Sequence, residues 1–242
     1  MNQPRFYCEH LSVGELELGA EDAQHASNVL RLQAGSAVEL FDGIGRSAAG
    51  VLSEVRKRCV RVDVQAINEG CDQVKDLELL VALPKGDRQK VLVDGLTQLG
   101  VRKLTPLICE RTVAQPKENA LVRLRKSVIE SCKQCRRNTL MEIGKPVAVQ
   151  DIESWDQPSR TRCVAHPYSV HAGGQEVTRA WDIHDEGLRS EVPVSVAVGP
   201  EGGFTDEEVI QLFRSNWDSV SLGNRILRVE MAALKIAAVL GT

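Results

Sequence analysis

The rhythm of hydrophobic and polar positions changes near residue 75. Before that point short apolar segments are separated by turn residues. Val38–Phe41 runs into Asp42-Gly43-Ile44-Gly45, a hairpin signal, and Ala48–Val55 follows it. Val60, Val62 and Val64 alternate strictly with polar residues, as in a half-buried strand. Between these segments, Ala20–Leu32 has helical spacing that places His25, Val29 and Leu32 on one side. This pattern predicts a small β-barrel-like module, followed by a polar linker from Asn68 to Lys75.

From Leu77 onward strands and helices alternate. Leu77–Leu83 is an apolar run interrupted only by Glu78, as expected of a strand buried on both faces. Strands are predicted at Leu104–Ile108, Arg162–Ala165, Val192–Val198 and Ser219–Leu222. Helices are predicted at Lys90–Leu99 (closed by Gly100), Ala120–Cys135, Asp206–Phe213 and Val229–Leu240. The sum is an α/β domain with a mostly parallel sheet. The expected division is 1–72 and 73–242.

Four segments carry candidate chemistry. Val194–Val198 leads into Gly199-Pro200-Glu201-Gly202-Gly203, and a helix starts directly afterwards. Thr205 and Glu208 have capping-box spacing. Strand-to-helix turns at the carboxyl edge of a sheet are where α/β folds bind ligands. Glu201, Asp206, Glu207 and Glu208 disfavour a phosphate there, since phosphate at a helix N-terminus wants cations or bare N–H groups. A phosphate-free, even cationic, ligand fits better; a well-capped tight turn accounts for the loop equally. The second segment is Leu222–Glu230, where Arg225, Arg228 and Glu230 precede the apolar last helix. Glu230 is able to pair with either arginine. In the third, Lys85, Arg88 and Lys90 follow a strand end without the glycine spacing of a nucleotide loop. In the fourth, Arg123–Asn138 holds six cations against Glu130 alone, a local net charge of +5 in a chain of −3. That is a basic surface of the kind an RNA backbone selects.

Cys132 and Cys135 form a Cys-x-x-Cys with no second pair, so no metal site is expected. Seven scattered cysteines do not look like a disulfide framework. With no signal peptide or membrane-length apolar run, a cytoplasmic protein is expected. Phe6 and Tyr7 fit stacking or core roles alike.

Taken together these segments resemble the SPOUT-class 16S rRNA uracil-N3 methyltransferases. The resemblance rests on Pro4-Arg5-Phe6, His25–Arg31 (HASNVLR), Phe41-Asp42-Gly43, Ala82–Arg88 (ALPKGDR), Gln98–Val101, Glu110-Arg111 and Gln134 with Arg137-Asn138. It continues through His166-Pro167, Gly199–Phe204 (GPEGGF), and Leu222-Gly223 with RILR at 225–228 and Glu230. It implies a PUA-like RNA-binding β-barrel domain, then a SPOUT-type α/β domain with a deep C-terminal trefoil knot. It also implies a homodimer, S-adenosylmethionine as cofactor, and uridine 1498 of 16S rRNA in the 30S subunit as substrate.

Carried over by residue, the cofactor wall is Leu83, Gly199, Pro200, Glu201, Gly202, Gly203, Leu222, Gly223, Ile226, Leu227 and Arg228. The expected catalytic group is Arg225, Arg228 and Glu230, with the arginines stabilising charge and Glu230 orienting one of them. Expected RNA contacts are Arg5, His25, Arg31, Lys85, Arg88 and Arg137. Lys133, Arg136, Asn224 and Val229 depart from the family pattern. Two rivals are a sister SPOUT enzyme acting on tRNA or 23S rRNA and a non-catalytic ribosome-assembly binder. The first should differ in the N-terminal region, the second in the glycine loop.

Overall fold

A computed structural model describes residues 3–70, 75–113, 116–155, 159–166, 180–182, 184, 188 and 192–241. Pro167 and part of the expected linker lie outside these residues. The chain divides into two units: residues up to 73 with 129–140, and residues 74–128 with 141–242.

The first unit is built on β1 (Arg5–Tyr7), β2 (Gly14–Glu17), β3 (Ala37–Phe41), β4 (Ser47–Arg56) and β5 (Cys59–Val64). They form one sheet in the order β1-β3-β4-β5-β2, with only the β1/β3 pair parallel. The alternation in β5 buries Val60, Val62 and Val64 against Phe6, Val38, Leu40 and Leu52. The predicted hairpin connects β3 to β4. Asp42 accepts hydrogen bonds from the Ile44 and Arg46 amides at 2.9 and 3.0 Å, and Gly43 and Gly45 take positive φ.

The expected helix over 20–32 is shorter. Helix α1 (Ala20–Gln24) passes into a π-helical turn at His25–Val29, closed by the Leu30 amide on the His25 carbonyl. The wider turn rotates the face, so Ala23 and Ala26 are buried while His25 and Val29 are exposed. Arg31, at φ 52°, ends it.

In the second unit, strands β6 (Leu77–Val81), β7 (Lys103–Ile108), β8 (Glu142–Ile143), β10 (Thr161–Ala165), β11 (Ala180–Asp182), β12 (Val194–Val198) and β13 (Asp218–Ser221) form one parallel sheet. Their order is β11-β13-β10-β12-β6-β7-β8, and β9 (Val147–Ala148) also pairs with β7. Every residue of β6 and β12 is buried, as central parallel strands covered on both faces require. Helices α2 (Asp87–Gln98), α4 (Asp206–Arg214) and α5 (Val229–Leu240) pack around the sheet. Helix α3 (Glu118–Cys135) contributes its residues from Ile129 onward to the first unit.

Two features position the site. β10 lies between β12 and β13, so the α4 crossover steps over it. After β13 the chain returns to α5, which packs on α2, β6 and β12. The α2–α5 approach is close at Gly95, where a Cβ would stand 2.2 Å from Leu234. A larger residue there would force the Leu234 side chain to move. At the amino edge of the sheet Arg160 binds Asp76, the Ser195 hydroxyl at 2.8 Å and the Val194 carbonyl at 2.9 Å. One guanidinium thereby ties β6, β10 and β12 together.

Candidate cofactor cleft

The carboxyl ends of β10, β12 and β13 surround a cavity of about 250 Å³. Its walls are Ala165 and His166 after β10, Val198 through Phe204 (without Gly202) after β12, and Val220, Leu222, Gly223, Arg225, Ile226 and Leu227 after β13. Val229 and Ala232, three residues apart on α5, close it. The position is the carboxyl edge of a parallel sheet where the strand order reverses, as ligand sites in open α/β sheets usually are.

The Gly199–Gly203 loop is held from several sides. Thr205 caps α4 and Glu208 returns a bond to the Thr205 amide, the capping box read from the sequence. The same Glu208 carboxylate accepts the Glu110 amide at 2.7 Å. Arg111 donates to the Gly202 carbonyl at 2.8 Å. The Phe204 ring lies under Gly199, where a Cβ would come within 2.8 Å of it, and Gly203 takes φ 69°. Burial, reinforced by the Glu208 charge, pushes the Cys109 thiol up to about 12.

The second wall, the turn after β13, is tied by Lys235 of α5, which donates to the Leu222 carbonyl at 2.9 Å. Gly223 there takes φ 92°. Ile226 is 97% exposed although it borders the cavity.

Of the expected cofactor-wall residues, the cavity brings together Gly199, Pro200, Glu201, Gly203, Leu222, Gly223, Ile226 and Leu227. Leu83, Gly202 and Arg228 do not line it. Arg225 lines it, whereas Arg228 is exposed at the N-cap of α5. Glu230 is buried and does not line it; its ion pair is with Arg88 at 4.0 Å, not with Arg225 or Arg228 as the spacing allowed. Arg88 also meets Glu201 at 2.9 Å. Ala165, His166, Val198, Phe204, Val220, Val229 and Ala232 were not expected. His166 and Phe204 were visible only as members of the resembling motifs and Val229 only as a departure from them, because strand order decides which strand ends meet.

The expected RNA-contact residues separate by burial. His25, Arg31 and Lys85 are exposed. Arg5 and Arg137 are buried. Arg5 donates to the carbonyls of Cys132 at 2.9 Å and Arg137 at 3.2 Å and to the Asn138 side chain, and stacks 4.3 Å over the Phe41 ring. The +5 count over 123–138 also shrinks as a surface charge. Lys133 pairs with Asp22 at 2.5 Å and Glu130 at 2.7 Å, Arg136 pairs with Glu39, and Arg137 is buried.

No group of three or more potential metal ligands gathers among the described residues. The Cys132 thiol donates to the Thr139 carbonyl at 3.9 Å, and its interaction with Cys135 lowers the Cys135 thiol and raises that of Cys132.

Residues 72–241 match the family described as "RNA methyltransferase domain", and residues 18–65 match "RNA methyltransferase PUA domain". The chain is 32% identical to the ribosomal RNA small subunit methyltransferase E of Aquifex aeolicus over 186 residues, 70% of this chain and 74% of that protein. With the protein of the same name from Synechocystis it shares 28% identity, covering 93% of this chain and 72% of the relative. Among solved structures, the Neisseria gonorrhoeae ribosomal RNA small subunit methyltransferase E, solved bound to S-adenosylmethionine, superimposes with a TM-score of 0.85. That match has 28% identity and covers 98% of this chain and 96% of that one.

Proposed function

Because the chain belongs to the RNA methyltransferase family, whose domain spans most of it, we propose that it methylates N3 of a uridine in small-subunit ribosomal RNA with S-adenosylmethionine. The observation that carries this reading is the cavity between the GPEGG loop and the Leu222–Leu227 turn. Its chemistry suits the cofactor: apolar walls for a base, backbone groups of a glycine loop, and the Glu201 carboxylate beside a cationic ligand. The fold is the SPOUT type of α/β fold, and the return from β13 to α5 is the segment assigned to the knot.

Bound S-adenosylmethionine supplies a methyl group on a sulfonium. The residues of this chain must align the acceptor with it and exclude water. Uracil N3 holds a proton at neutral pH, so its negative charge as that proton leaves needs a cation. Arg225, on the cavity wall, is placed for that task, with Arg228 one turn further at the head of α5. His25, Arg31 and Lys85 are the exposed cations and imidazole assigned to the RNA backbone. Exposed Val91 and Met231, on the paired helices α2 and α5, and Ile226 supply apolar surface for a homodimer contact. No helix among the described residues is long and apolar enough to cross a membrane, and the cytoplasm, where ribosomes are assembled, is the compartment assigned.

The test is calorimetry with S-adenosylmethionine, followed by transfer of labelled methyl to small subunits, large subunits and tRNA, each from a strain lacking the protein. Saturable binding and labelled 16S rRNA are expected. Labelled tRNA or 23S rRNA would favour the sister enzymes, and absence of cofactor binding the non-catalytic binder.

A further inference from the structure

We propose that Arg88 is a positioning residue of the cofactor cleft, tying the Gly199–Gly203 loop to the first turn of α5, and not an RNA contact. The inference rests on the cofactor reading above. Arg88 is the second residue of α2, where a cation faces the positive end of the helix dipole. Two carboxylates offset that cost. Glu201, on the cavity wall, lies 2.9 Å away, and Glu230, at the head of α5, lies 4.0 Å away. Glu230 is 6% exposed, and its Oε2 atom makes no hydrogen bond among the described residues. Arg88 is the cation set against that buried charge. A planar guanidinium has donors on two edges and reaches both carboxylates; an ammonium group offers a single point. Held there by Arg88, the Glu201 carboxylate stands on the cavity wall, where it favours a sulfonium or ammonium ligand.

The experiment measures cofactor and RNA binding separately in the full chain. Arg88→Ala is expected to weaken S-adenosylmethionine binding by roughly fivefold in calorimetry, the upper range for a partly exposed ion pair. KM for the cofactor should rise in parallel while kcat stays. Affinity for a small-subunit rRNA fragment and its salt dependence should not change. Arg88→Lys, which keeps the charge, should not restore cofactor affinity, and it carries the same reading if the alanine variant does not fold. Unchanged cofactor affinity overturns the proposal. So does an RNA salt slope flattened by about one charge, whatever happens to the cofactor. If the parent protein itself binds no S-adenosylmethionine, the function proposed above fails rather than the role of Arg88.

Discussion

Replacing Gly199 with alanine tests how the cofactor loop is built. An added Cβ would lie 2.8 Å from the nearest Phe204 ring atom, with two further ring atoms at 2.9 and 3.2 Å. The ring cannot swing freely aside. Phe204 is 8% exposed and belongs to the cluster of Leu80, Val164, Leu212 and Trp217 beneath α4. Overpacking of this kind costs about 1–3 kcal/mol. Its relief moves the backbone of the loop that walls the cavity. Two neighbours serve as internal controls. At Gly203 a Cβ meets open space, but φ is 69°, so alanine there costs about 1–2 kcal/mol through the backbone alone. At Gly202 φ is not positive and the nearest atom is the flexible Arg111 side chain at 3.3 Å, so alanine should be nearly neutral for stability. Urea denaturation and cofactor calorimetry on the three variants give the order. Gly199→Ala should lose the most in both, and Gly202→Ala the least stability. A Gly199→Ala protein with parental stability and cofactor affinity would refute the reasoning.

Other outcomes follow from the same geometry. Arg160→Ala should cost roughly 3 kcal/mol in urea denaturation, because it strips a nearly buried cation from Asp76 and from the amino ends of three strands. Arg5→Ala should lower stability by a similar amount, about 3 kcal/mol, since its buried guanidinium serves two carbonyls and a ring. His25→Ala, Arg31→Ala and Lys85→Ala should leave stability near parental, and the two cation variants should each flatten the RNA salt slope by about one charge. Cys135, whose thiol is lowered by its interaction with Cys132 and by the Arg137 charge, should be alkylated before Cys109, which burial pushes up, at pH 7.5.

Much of the second unit was legible because its signals are local and strong. Five-residue runs with a single polar residue each, Glu78 and Ser195, mark β6 and β12, and Thr205 and Glu208 announce the start of α4 from the sequence. Short strands were not: β8 and β9 have two residues each and owe their pairing to β7. The π-helical turn at His25–Val29 departs from a 3.6-residue period, so the side that this spacing gave to His25, Val29 and Leu32 splits into exposed His25 and Val29 and partly buried Leu32. Charge was misread for a related reason. Counting the cations of Arg123–Asn138 along the chain says nothing of Asp22 and Glu39, which neutralise Lys133 and Arg136 from more than ninety residues away. Glu230 is the same lesson at the cleft. Sequence spacing offered Arg225 and Arg228 as partners, and the fold supplies Arg88 from another helix.

The central claim is methyl transfer to N3 of a uridine in small-subunit rRNA. The direct test is mass-spectrometric mapping of 16S rRNA after incubating small subunits from a deletion strain with the protein and S-adenosylmethionine. The account predicts one new N3-methyluridine, dependent on protein and cofactor and diminished by Arg225→Ala. Methylation of another base or atom, or none from a protein that binds the cofactor, would contradict it.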